Sequence, residues 1–450
     1  MPTTDNDTGF PFTPPGTGGR KVTAAFDGGL ISSDGGVLLL AGADKRLGLI
    51  DTLAALIPDH RDPDRITHSV ADIMRARVLA IACGYEDAND LDTLRHDPAF
   101  KMACARTPES GDALASQPTI SRLENAAGRR VLIRMSHALV DLWCRGHQCP
   151  PRSITLDIDD TADTAHGHQA LALFNAHYDE RCFLPIHVYD AATGHCVLTL
   201  LRPGKTPGGK EIRGHVRRLI RRIRAHWPDT AITLRGDSHY GRREVMDWCE
   251  ENGVAYVFGL SGNDVLRGQV FARTDGACVR RALGDLDRVR DHTGTQYAAK
   301  SWSRPRRVVV RIEVTRKGLD IRYVVTSIAH GTAQWLYDGP YCARGRAENR
   351  IKWHKGQLAP DRTGCRCPLA NQVRLILHTA AHWLVLVVRR AIPGSQPLAS
   401  GDFSTIRLRL LKIAVRVRET ASRIRLACAS NCPDAELFRG VMGALTPRPA

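Results

Sequence analysis

The chain has 450 residues, 43% of them hydrophobic, which is enough to bury a large core divided among two or three domains. Its 63 Lys and Arg exceed its 47 Asp and Glu, and the formal charge of +16 favours a polyanionic partner, nucleic acid first, over an acidic small molecule alone. The first ten residues lack the basic and apolar regions of a signal peptide, and the most apolar run, 375–388, is too short to span a bilayer. We therefore expect a cytoplasmic, nucleoid-associated protein with no membrane partner.

A flexible tail and a helical domain are predicted for the first third of the chain. Residues 1–22 are rich in Pro, Gly and Thr and show no periodic apolar pattern, which is typical of a tail. Within 23–150, apolar residues such as Val70, Ile73 and Met74 recur at steps of three and four, which predicts an all-helical N-terminal domain. The segment 116–135 carries several arginines, so it is either a helix that reaches DNA ends or an ordinary capped helix.

An α/β core is predicted after Pro150 and Pro151, which interrupt the helical pattern. Its first part, 151–264, contains strands predicted at 153–159, 183–189, 195–201, 231–235 and 254–260, and helices predicted at 208–228 and 242–252. The second and third strands are predicted to form a hairpin, and the order of elements indicates a mixed sheet with helices on both sides. The helix at 208–228 has an apolar face and many arginines, so its basic face is either solvated or in contact with phosphates.

The remaining chain is predicted to hold an insertion and the second part of the core. Residues 265–330 become alternating in hydropathy, most clearly at 307–314, which predicts a β-rich insertion. The second part of the core, 331–392, contains a charged helix predicted at 341–355 and a strongly apolar segment. A linker and a basic C-terminal helical segment are predicted for 393–450. The basic helix is predicted at 403–426, because Ile406, Leu410, Ile413 and Val417 fall in helical register.

Three acidic residues form the candidate site. Asp159 and Asp237 lie at the ends of two short apolar strands, and Glu348 lies on the helix predicted at 341–355. On that helix Tyr341, Arg344, Glu348 and Lys355 share one face, although a solvated surface helix would also interleave charges. Carboxylates are the oxygen ligands that hard cations prefer, and two Mg2+ ions, with Mn2+ as a substitute, suit an in-line displacement at phosphorus.

Several separated motifs carry a family resemblance. The pattern Y-x2-R-x3-E-x6-K at 341–355, together with the phrases LDIDDTADTAHGHQ and LRGDSHYGRREVMDWCEENGVAYVFGL, resembles bacterial insertion-sequence transposases of the DDE type. The group numbered thirteen-eighty is the most similar, and the resemblance covers roughly residues 24–392. It implies a ribonuclease-H-like catalytic core in 151–264 and 331–392. It also implies a homodimer that holds double-stranded transposon ends and target DNA in a synaptic complex.

The same resemblance implies roles for individual residues. Its D-x-T pattern selects Asp159, rather than Asp157 or Asp160, as the first catalytic aspartate. Asp159, Asp237 and Glu348 become the catalytic metal ligands. Strand alternation places Asp157 and Asp159 on one face and Asp160 on the other. Tyr341, Arg344 and Lys355 are implied to hold phosphates of the transposon end, for which Arg suits bidentate contact and Lys point-charge attraction.

Trp302 is a further candidate for DNA binding. Insertions of this kind in related transposases are implied to grip the DNA end, and an aromatic residue sometimes stacks on a displaced base. Trp302 lies among four cations, Lys300, Arg304, Arg306 and Arg307, a combination that suits base stacking with neutralisation of the backbone. The alternative is that Trp302 anchors the insertion to the core.

The preferred function is a transposase that binds element ends, cleaves the strands and joins them to target DNA. A nuclease of the same fold that hydrolyses without joining is an alternative, because water and a 3′ hydroxyl are activated in the same manner. An inactive transposase-derived DNA-binding protein is a third, and the intact acidic residues and Y-x2-R-x3-E-x6-K pattern argue against it.

Overall fold

The computed structural model describes residues 8–9, 18, 20, 22–165, 167, 169–345, 356, 358 and 364–446. Within these ranges the α-helices are α1 (Val37–Leu47), α2 (Leu49–Ala54), α3 (Val70–Cys83), α4 (Leu91–Leu94), α5 (Pro98–Ala103), α6 (Gln117–Ala126), α7 (Arg129–Arg145), α8 (Gly209–His226), α9 (Arg243–Glu251), α10 (Asp264–Leu283), α11 (Ala333–Leu336), α12 (Pro368–Arg390), α13 (Phe403–Ile406) and α14 (Ala435–Leu445). The strands are β1 (Thr8–Gly9), β2 (Thr23–Ala24), β3 (Ile31–Ser32), β4 (Ser153–Asp160), β5 (Asp163–Thr164), β6 (Leu173–Asn175), β7 (Glu180–Phe183), β8 (Ile186–Asp190), β9 (Cys196–Leu200), β10 (Ala231–Gly236), β11 (Val254–Leu260), β12 (Arg288–Tyr297), β13 (Arg306–Thr315), β14 (Gly318–Thr326), β15 (Val415–Thr420) and β16 (Arg423–Cys428).

An eight-stranded mixed sheet organises the molecule, in the order β12-β13-β14-β11-β10-β4-β8-β9. β4, β10 and β11 are parallel, and every other neighbouring pair in the sheet is antiparallel. β8 and β9 form the predicted hairpin, and β10 and β11 lie within one residue of their predicted bounds. The prediction of an α/β fold built on a large mixed sheet is therefore confirmed.

Helices cover the sheet because its strands are apolar on both faces. Along β13, Val308, Val309 and Val310 are all fully buried, although successive side chains point to opposite faces. Val309 packs with Leu336 and Tyr337 on one face, and Val308 and Val310 join the main core on the other. In α8, the residues Ile212, Val216, Leu219, Ile220 and Ile223 are buried. The predicted amphipathic helix is therefore present.

The helical layer of 37–145 is joined to the sheet by α12. Among the described residues in that range, every regular element is helical. α1, α3, α6 and α7 all pack against α12, which also packs against β9. A buried carboxylate at Glu124 (α6) accepts from Arg77 (α3) at 3.3 Å and from Arg374 (α12) at 2.7 Å. Removing one member of this buried set would leave an uncompensated charge, which is strongly destabilising. The set therefore fixes the positions of α3, α6 and α12 relative to one another.

The predicted β-rich insertion differs from the structure in its first third. Residues 264–283 form α10, and the three strands that follow continue the core sheet beyond β11 rather than forming a separate unit. The buried residues Leu266, Val270 and Ala277 follow helical spacing. Exposed apolar residues such as Phe271 and Leu283 obscure that spacing in the sequence.

The predicted basic helix at 403–426 is wrong. α13 ends at Ile406, a π-helical turn covers Arg407–Leu411, and β15 and β16 then form a hairpin that pairs with β3. Val415 and Val417 are buried while Arg416 and Arg418 are exposed, an alternation of two that fits a strand. The prediction of an all-helical domain at 23–150 is also wrong at its start, where β2 pairs with β1 and β3 pairs with β15 before the first helix. The predicted flexible tail at 1–22 lies mostly outside the described residues, and within the described ranges no helix combines the length and apolar character that a membrane span requires.

Candidate active site

Asp159 and Asp237 are brought to the same end of two neighbouring parallel strands. Leu156 pairs with Leu234 and Asp157 pairs with Arg235, so β4 and β10 run in register toward these two residues. Side chains at the carboxyl ends of parallel strands share one edge of the sheet, where ligands of such sheets bind. The side chain of Asp159 is 15% exposed and that of Asp237 is 29% exposed, so both are reachable from solvent.

Asp159 is held by a cation and a backbone donor. Arg344 Nη1 donates to Asp159 Oδ2 at 2.9 Å, and the backbone N–H of Asp160 donates to Asp159 Oδ1 at 3.0 Å. Burial raises the pKa of the Asp159 carboxyl to about 7; Arg344 opposes this shift, whereas the charges of Asp237 and Asp160 add to it. The site therefore concentrates negative charge that the arginine only partly neutralises.

Asp237 and Asp160 are linked through the loop after β10. The backbone N–H of His239 donates to Asp237 Oδ1 at 2.9 Å, and His239 Nδ1 lies 3.1 Å from Asp160 Oδ2. Tyr240 OH donates to the same Asp160 oxygen at 3.2 Å. Burial raises the pKa of Asp237, and the hydrogen bond to Asp160 raises the pKa of His239. The sequence analysis did not predict that Asp160 and His239 belong to this network. The contacts of Asp160 with His239 and Tyr240 join residues about 80 positions apart, so no local pattern reveals them.

Asp157 is engaged away from these carboxylates. Arg235 Nε and Nη2 donate to its two oxygens at 2.6 and 2.8 Å, and Arg235 Nη1 donates to the carbonyl of Pro340 at 2.8 Å. Both side chains are buried. Asp157 therefore supports the segment that carries Arg344, and its own oxygens are not presented to solvent.

Tyr341 lies beside the loop that carries Asp237. A side chain at Gly259 would lie 2.9 Å from the backbone nitrogen of Ser238 and 3.1 Å from the hydroxyl of Tyr341, so glycine is required for this close approach. Burial raises the pKa of the Tyr341 phenol. A π-helical turn (Tyr337–Tyr341) and a 3-10 turn (Cys342–Arg344) hold the segment. Tyr337 packs on β11, β13 and β14 through Val257, Val309 and Val324.

Two members of the predicted site, Glu348 and Lys355, lie outside the described residues. The structure thus brings together Asp159, Asp237, Tyr341 and Arg344 among the predicted residues. Within the described ranges, no three His, Cys, Asp or Glu side chains form a group able to hold a metal ion.

Trp302 lies at the other end of the sheet. β13 runs from Arg306 to Thr315 in the same direction as β11, so the loop before Arg306 is at the end opposite to Asp237. The ring of Trp302 meets Tyr297 edge-on at 5.3 Å between centroids, and the guanidinium of Arg306 lies 5.2 Å from the Trp302 ring centroid. Arg306 in turn is paired with Glu250 and Asp247 on α9. These contacts are those of an anchoring residue, the alternative raised by the sequence.

Comparison with known families decides the class of the protein. The profile of the family described as Transposase DDE domain group 1 matches residues 15–450. The chain belongs to this DDE transposase family. Among solved structures, it is similar to a piggyBac transposase in a cryo-EM synaptic complex with hairpin DNA, at 9% identity and a TM-score of 0.45, with 92% of this chain and 85% of that chain covered. No curated protein matches the sequence.

DDE transposases are in general metal-dependent enzymes that cleave DNA, and the described part of the site is compatible with that chemistry. Asp159 and Asp237 present carboxylate oxygens, which are the donors that Mg2+ prefers. Burial raises the pKa of Asp159, the charges of Asp237 and Asp160 add to this shift, and a bound divalent cation would favour the ionised carboxylate. In this DDE transposase the donors of the described site therefore fit such an ion.

Proposed function

We propose that this DDE transposase serves a bacterial insertion sequence of the group numbered thirteen-eighty. It binds the double-stranded ends of the element, cleaves the DNA strands and joins them to target DNA. The observation that carries the proposal is the pairing of Asp159 and Asp237 at the ends of adjacent parallel strands, with Arg344 bound to Asp159. The strand order β9-β8-β4-β10-β11, antiparallel and then parallel, supports a ribonuclease-H-like catalytic core.

Asp159, Asp237 and Glu348 are the proposed ligands of two Mg2+ ions, for which Mn2+ substitutes. When bound, such ions activate an attacking oxygen and stabilise a leaving oxygen in an in-line displacement at phosphorus. The protein's own contribution is to fix the first two carboxylates on rigid strands. It also covers both carboxylates enough to strengthen their interaction with a cation.

Tyr341, Arg344 and Lys355 are proposed to bind phosphates of the transposon end. The Arg344 guanidinium touches Asp159, so a phosphate held at the metal site would lie within its reach. The Tyr341 hydroxyl and the backbone nitrogen of Ser238, the residue after Asp237, both lie close to Gly259. Tyr341 and Arg344 are held by Tyr337 and the Arg235–Pro340 contact, which limits their movement before DNA binds.

A basic groove between α7 and α8 is proposed to contact the DNA backbone. Arg129, Arg130, Arg218 and Arg222 line this groove, which has a volume of about 670 Å³ and is otherwise lined largely by apolar side chains. Arg222 is paired with Asp141, whereas Arg129, Arg130 and Arg218 are exposed to solvent. Exposed arginines that line one groove supply the electrostatic attraction that dominates affinity for DNA. The proposed roles are therefore DNA-end binding for the helical layer and phosphate contact for α8.

An assay on a short duplex that carries one element end tests the function. Asp159→Ala, Asp237→Ala and Glu348→Ala are each expected to abolish cleavage while leaving retardation in a gel largely intact, because most groups that bind phosphate remain in place. Excess EDTA should abolish cleavage, and Ca2+ should support binding only, because its looser shell places oxygens poorly. Full cleavage in EDTA would refute the mechanism. Cut ends that never join to target DNA would favour the hydrolytic nuclease.

A further inference from the structure

The hairpin formed by β15 and β16 has one face that consists largely of arginine. Arg418 lies directly opposite Arg425, and Arg416 and Arg423 lie two residues away from them along their own strands. Residues that are opposite each other in a pair, or two apart along a strand, point to the same side of the sheet. All four side chains are exposed, and together they define the arginine face of the hairpin.

The positive charge of the arginine face is not neutralised by the protein. Among the described residues, none of the four arginines forms an ion pair. The acidic residue of the hairpin, Glu419, is on the opposite face and accepts from the backbone N–H groups of Glu109 at 2.8 Å and Ser110 at 3.2 Å. Like charges directly opposite each other destabilise an antiparallel pair, so the pairing of Arg418 with Arg425 is unfavourable for the hairpin. A bound polyanion would relieve this repulsion.

Protection of an edge strand explains only part of this face. β16 is at the edge of its three-stranded sheet, and charged side chains keep such strands from pairing with other chains. Arg416, however, lies on β15 between Ile31 of β3 and Ala427 of β16. A Cβ added at Gly29 would lie 3.3 Å from Arg416 Nε, so this guanidinium rests against the backbone that precedes β3. Edge protection therefore does not account for the arginines on β15.

The hairpin is held firmly on the helical layer. Val415 and Val417 are buried in the main core, and the backbone N–H of Val417 donates to the carbonyl of Leu30 at 2.8 Å. β15 also packs on α5, and the loop after α5 binds Glu419. A surface that is already fixed in place loses little conformational entropy when a ligand binds.

The arginine face and the groove between α7 and α8 are separate surfaces. The hairpin packs on β3 and α5, whereas the groove is lined by residues of α7, α8, β9 and α12. Among the described residues that line the groove, none belongs to the hairpin. Joining a cut end to target DNA requires two duplexes to be bound at the same time, so a protein with this function needs two such surfaces.

We propose that the arginine face of β15 and β16 binds the phosphate backbone of the target duplex, while the groove holds the element end. This role rests on the proposed function, because a joining reaction is what brings in a second duplex. The major groove of B-DNA is about 12 Å wide and admits a two-stranded ribbon, from which arginines can reach phosphates on both sides. Guanidinium groups suit such contacts because they match phosphate oxygens bidentately.

The composition of the face favours binding that does not depend on sequence. Besides the arginines, the face carries Thr420 and Ala427. It therefore lacks Asn, Gln, Asp and Glu, the side chains that distinguish the edges of adenine and cytosine. Contact with phosphates alone suits a duplex whose sequence varies from one insertion to the next.

Removal of two charges from the face tests duplex binding directly. Arg418→Gln with Arg425→Gln keeps polar side chains at both positions and removes the cations. Arg65→Gln with Arg439→Gln is the matched control, because it removes the same charge from exposed arginines that each pair with a carboxylate. The full chain is titrated with a random-sequence duplex without metal. The slope of log affinity against log salt should fall by about 0.9 for each lost phosphate contact in the face variant and stay unchanged in the control.

The melting temperature separates this role from a structural one. The face variant should melt at or above the wild-type temperature, because it removes a repulsion between opposite strands. A lower melting temperature together with an unaltered salt slope would show that the arginines are structural and would overturn the proposal.

A joining assay distinguishes target DNA from the element end. With pre-cut ends, Mg2+ and a plasmid of unrelated sequence, the face variant should need about tenfold more plasmid for half-maximal joining and reach the wild-type rate at saturation. It should also cleave an end-bearing duplex normally. Equal losses of cleavage and joining would place the element end on the face and overturn the proposal, as would half-maximal joining at the wild-type plasmid concentration. A wild type that cleaves but never joins would refute the proposed joining function, whereas an unaltered salt slope would refute the arginine face alone.

Discussion

Arg344 Nη1 lies 2.9 Å from Asp159 Oδ2, an ion pair that joins residues 185 positions apart in the chain. Among the described residues it is one of two arginine–carboxylate pairs at the end of β4, and the other joins Arg235 to Asp157. The two aspartates are two residues apart, yet one pair is deeply buried and the other is open to solvent at 15% of each side chain. The difference in solvent exposure indicates that Asp157 is a structural carboxylate and that Asp159 is the candidate catalytic one.

Asp157→Ala and Asp159→Ala should therefore differ in their effect on stability. Asp157→Ala leaves the buried Arg235 without its partner and should lower the free energy of unfolding by about 3 to 5 kcal/mol. Asp159→Ala removes a carboxyl whose ionisation is already unfavourable, and should leave stability near or above that of wild type. Urea unfolding of both variants measures the difference. Equal destabilisation would show that the two aspartates do not have separate roles.

The raised pKa of Asp159 predicts a pH dependence. Its folded pKa, about 7, lies above the ordinary value of 3.8, so between these values the folded state binds the extra proton. The stability that this proton supplies is fully present below the unfolded pKa and is lost as pH rises through about 7. Asp159→Asn keeps the neutral state at every pH. Without metal, it should match wild type near pH 4 and exceed it at pH 8 by roughly 1 to 4 kcal/mol.

Chemical unfolding of wild type and Asp159→Asn in EDTA, from pH 4 to pH 8, measures this difference directly. Adding Mg2+ at pH 8 should reduce the difference in unfolding free energy between the two proteins, because a bound cation stabilises the ionised carboxylate of wild type only. A stability difference that is constant with pH would contradict the assignment of the raised pKa to Asp159.

Substitutions at Arg344 separate its charge from its shape. Arg344→Ala should lower single-turnover cleavage by about a hundredfold, the scale of one lost donor to developing charge. Arg344→Lys should recover only part of this loss, because an ammonium group cannot make a bidentate phosphate contact. Arg243→Ala, an exposed arginine paired with Asp247 on α9, is the control and should cut normally. Normal cleavage by Arg344→Ala would remove this residue from the site.

The basic groove should act through salt-dependent DNA affinity. Arg129→Ala with Arg130→Ala should reduce the slope of log affinity against log salt by about 0.9 for each phosphate that is no longer neutralised, and weaken binding to all duplexes alike. Arg273→Ala with Arg439→Ala removes two exposed arginines elsewhere and should leave the slope unchanged. Binding titrations at several salt concentrations give both slopes. An unaltered slope in the groove variant would place DNA binding on another surface.

The sequence predicted the strands that carry the site because their signals are local. β4 and β10 are short apolar runs, and Asp159 and Asp237 occur where these runs end. The bond from His239 to Asp160 and the Arg235–Pro340 contact depend on tertiary register, which no local pattern contains. The helical register of Ile406, Leu410, Ile413 and Val417 was misleading because Val415 and Val417 also satisfy a strand period.

Trp302→Ala provides a last test, because an anchoring residue should affect the stability of the protein but not its rate of DNA cleavage. Its ring packs on Tyr297 and Arg306 at the end of the sheet away from Asp237, so Trp302→Ala should lower the free energy of unfolding by about 2 kcal/mol, below the cost for a fully buried tryptophan. At a temperature where both proteins are folded, the variant should cleave a DNA end at the wild-type rate. Arg304 and Arg306 pair with Glu250, and Arg307 donates to backbone carbonyls from Ile328 to Gly331. Three of the four nearby cations thus have protein partners.

Normal stability with slower processing of DNA would instead support the hypothesis that a displaced base stacks on Trp302. If Trp302→Ala melts like wild type yet processes a cut end about tenfold more slowly, the loss matches the roughly 1 to 3 kcal/mol of a base stacked on an aromatic ring. Trp302→Phe distinguishes the two roles further. A phenyl ring keeps a stacking surface for a base but fills less of the space beside Tyr297, so it should restore processing if Trp302 binds DNA and should restore stability only in part if it anchors the loop.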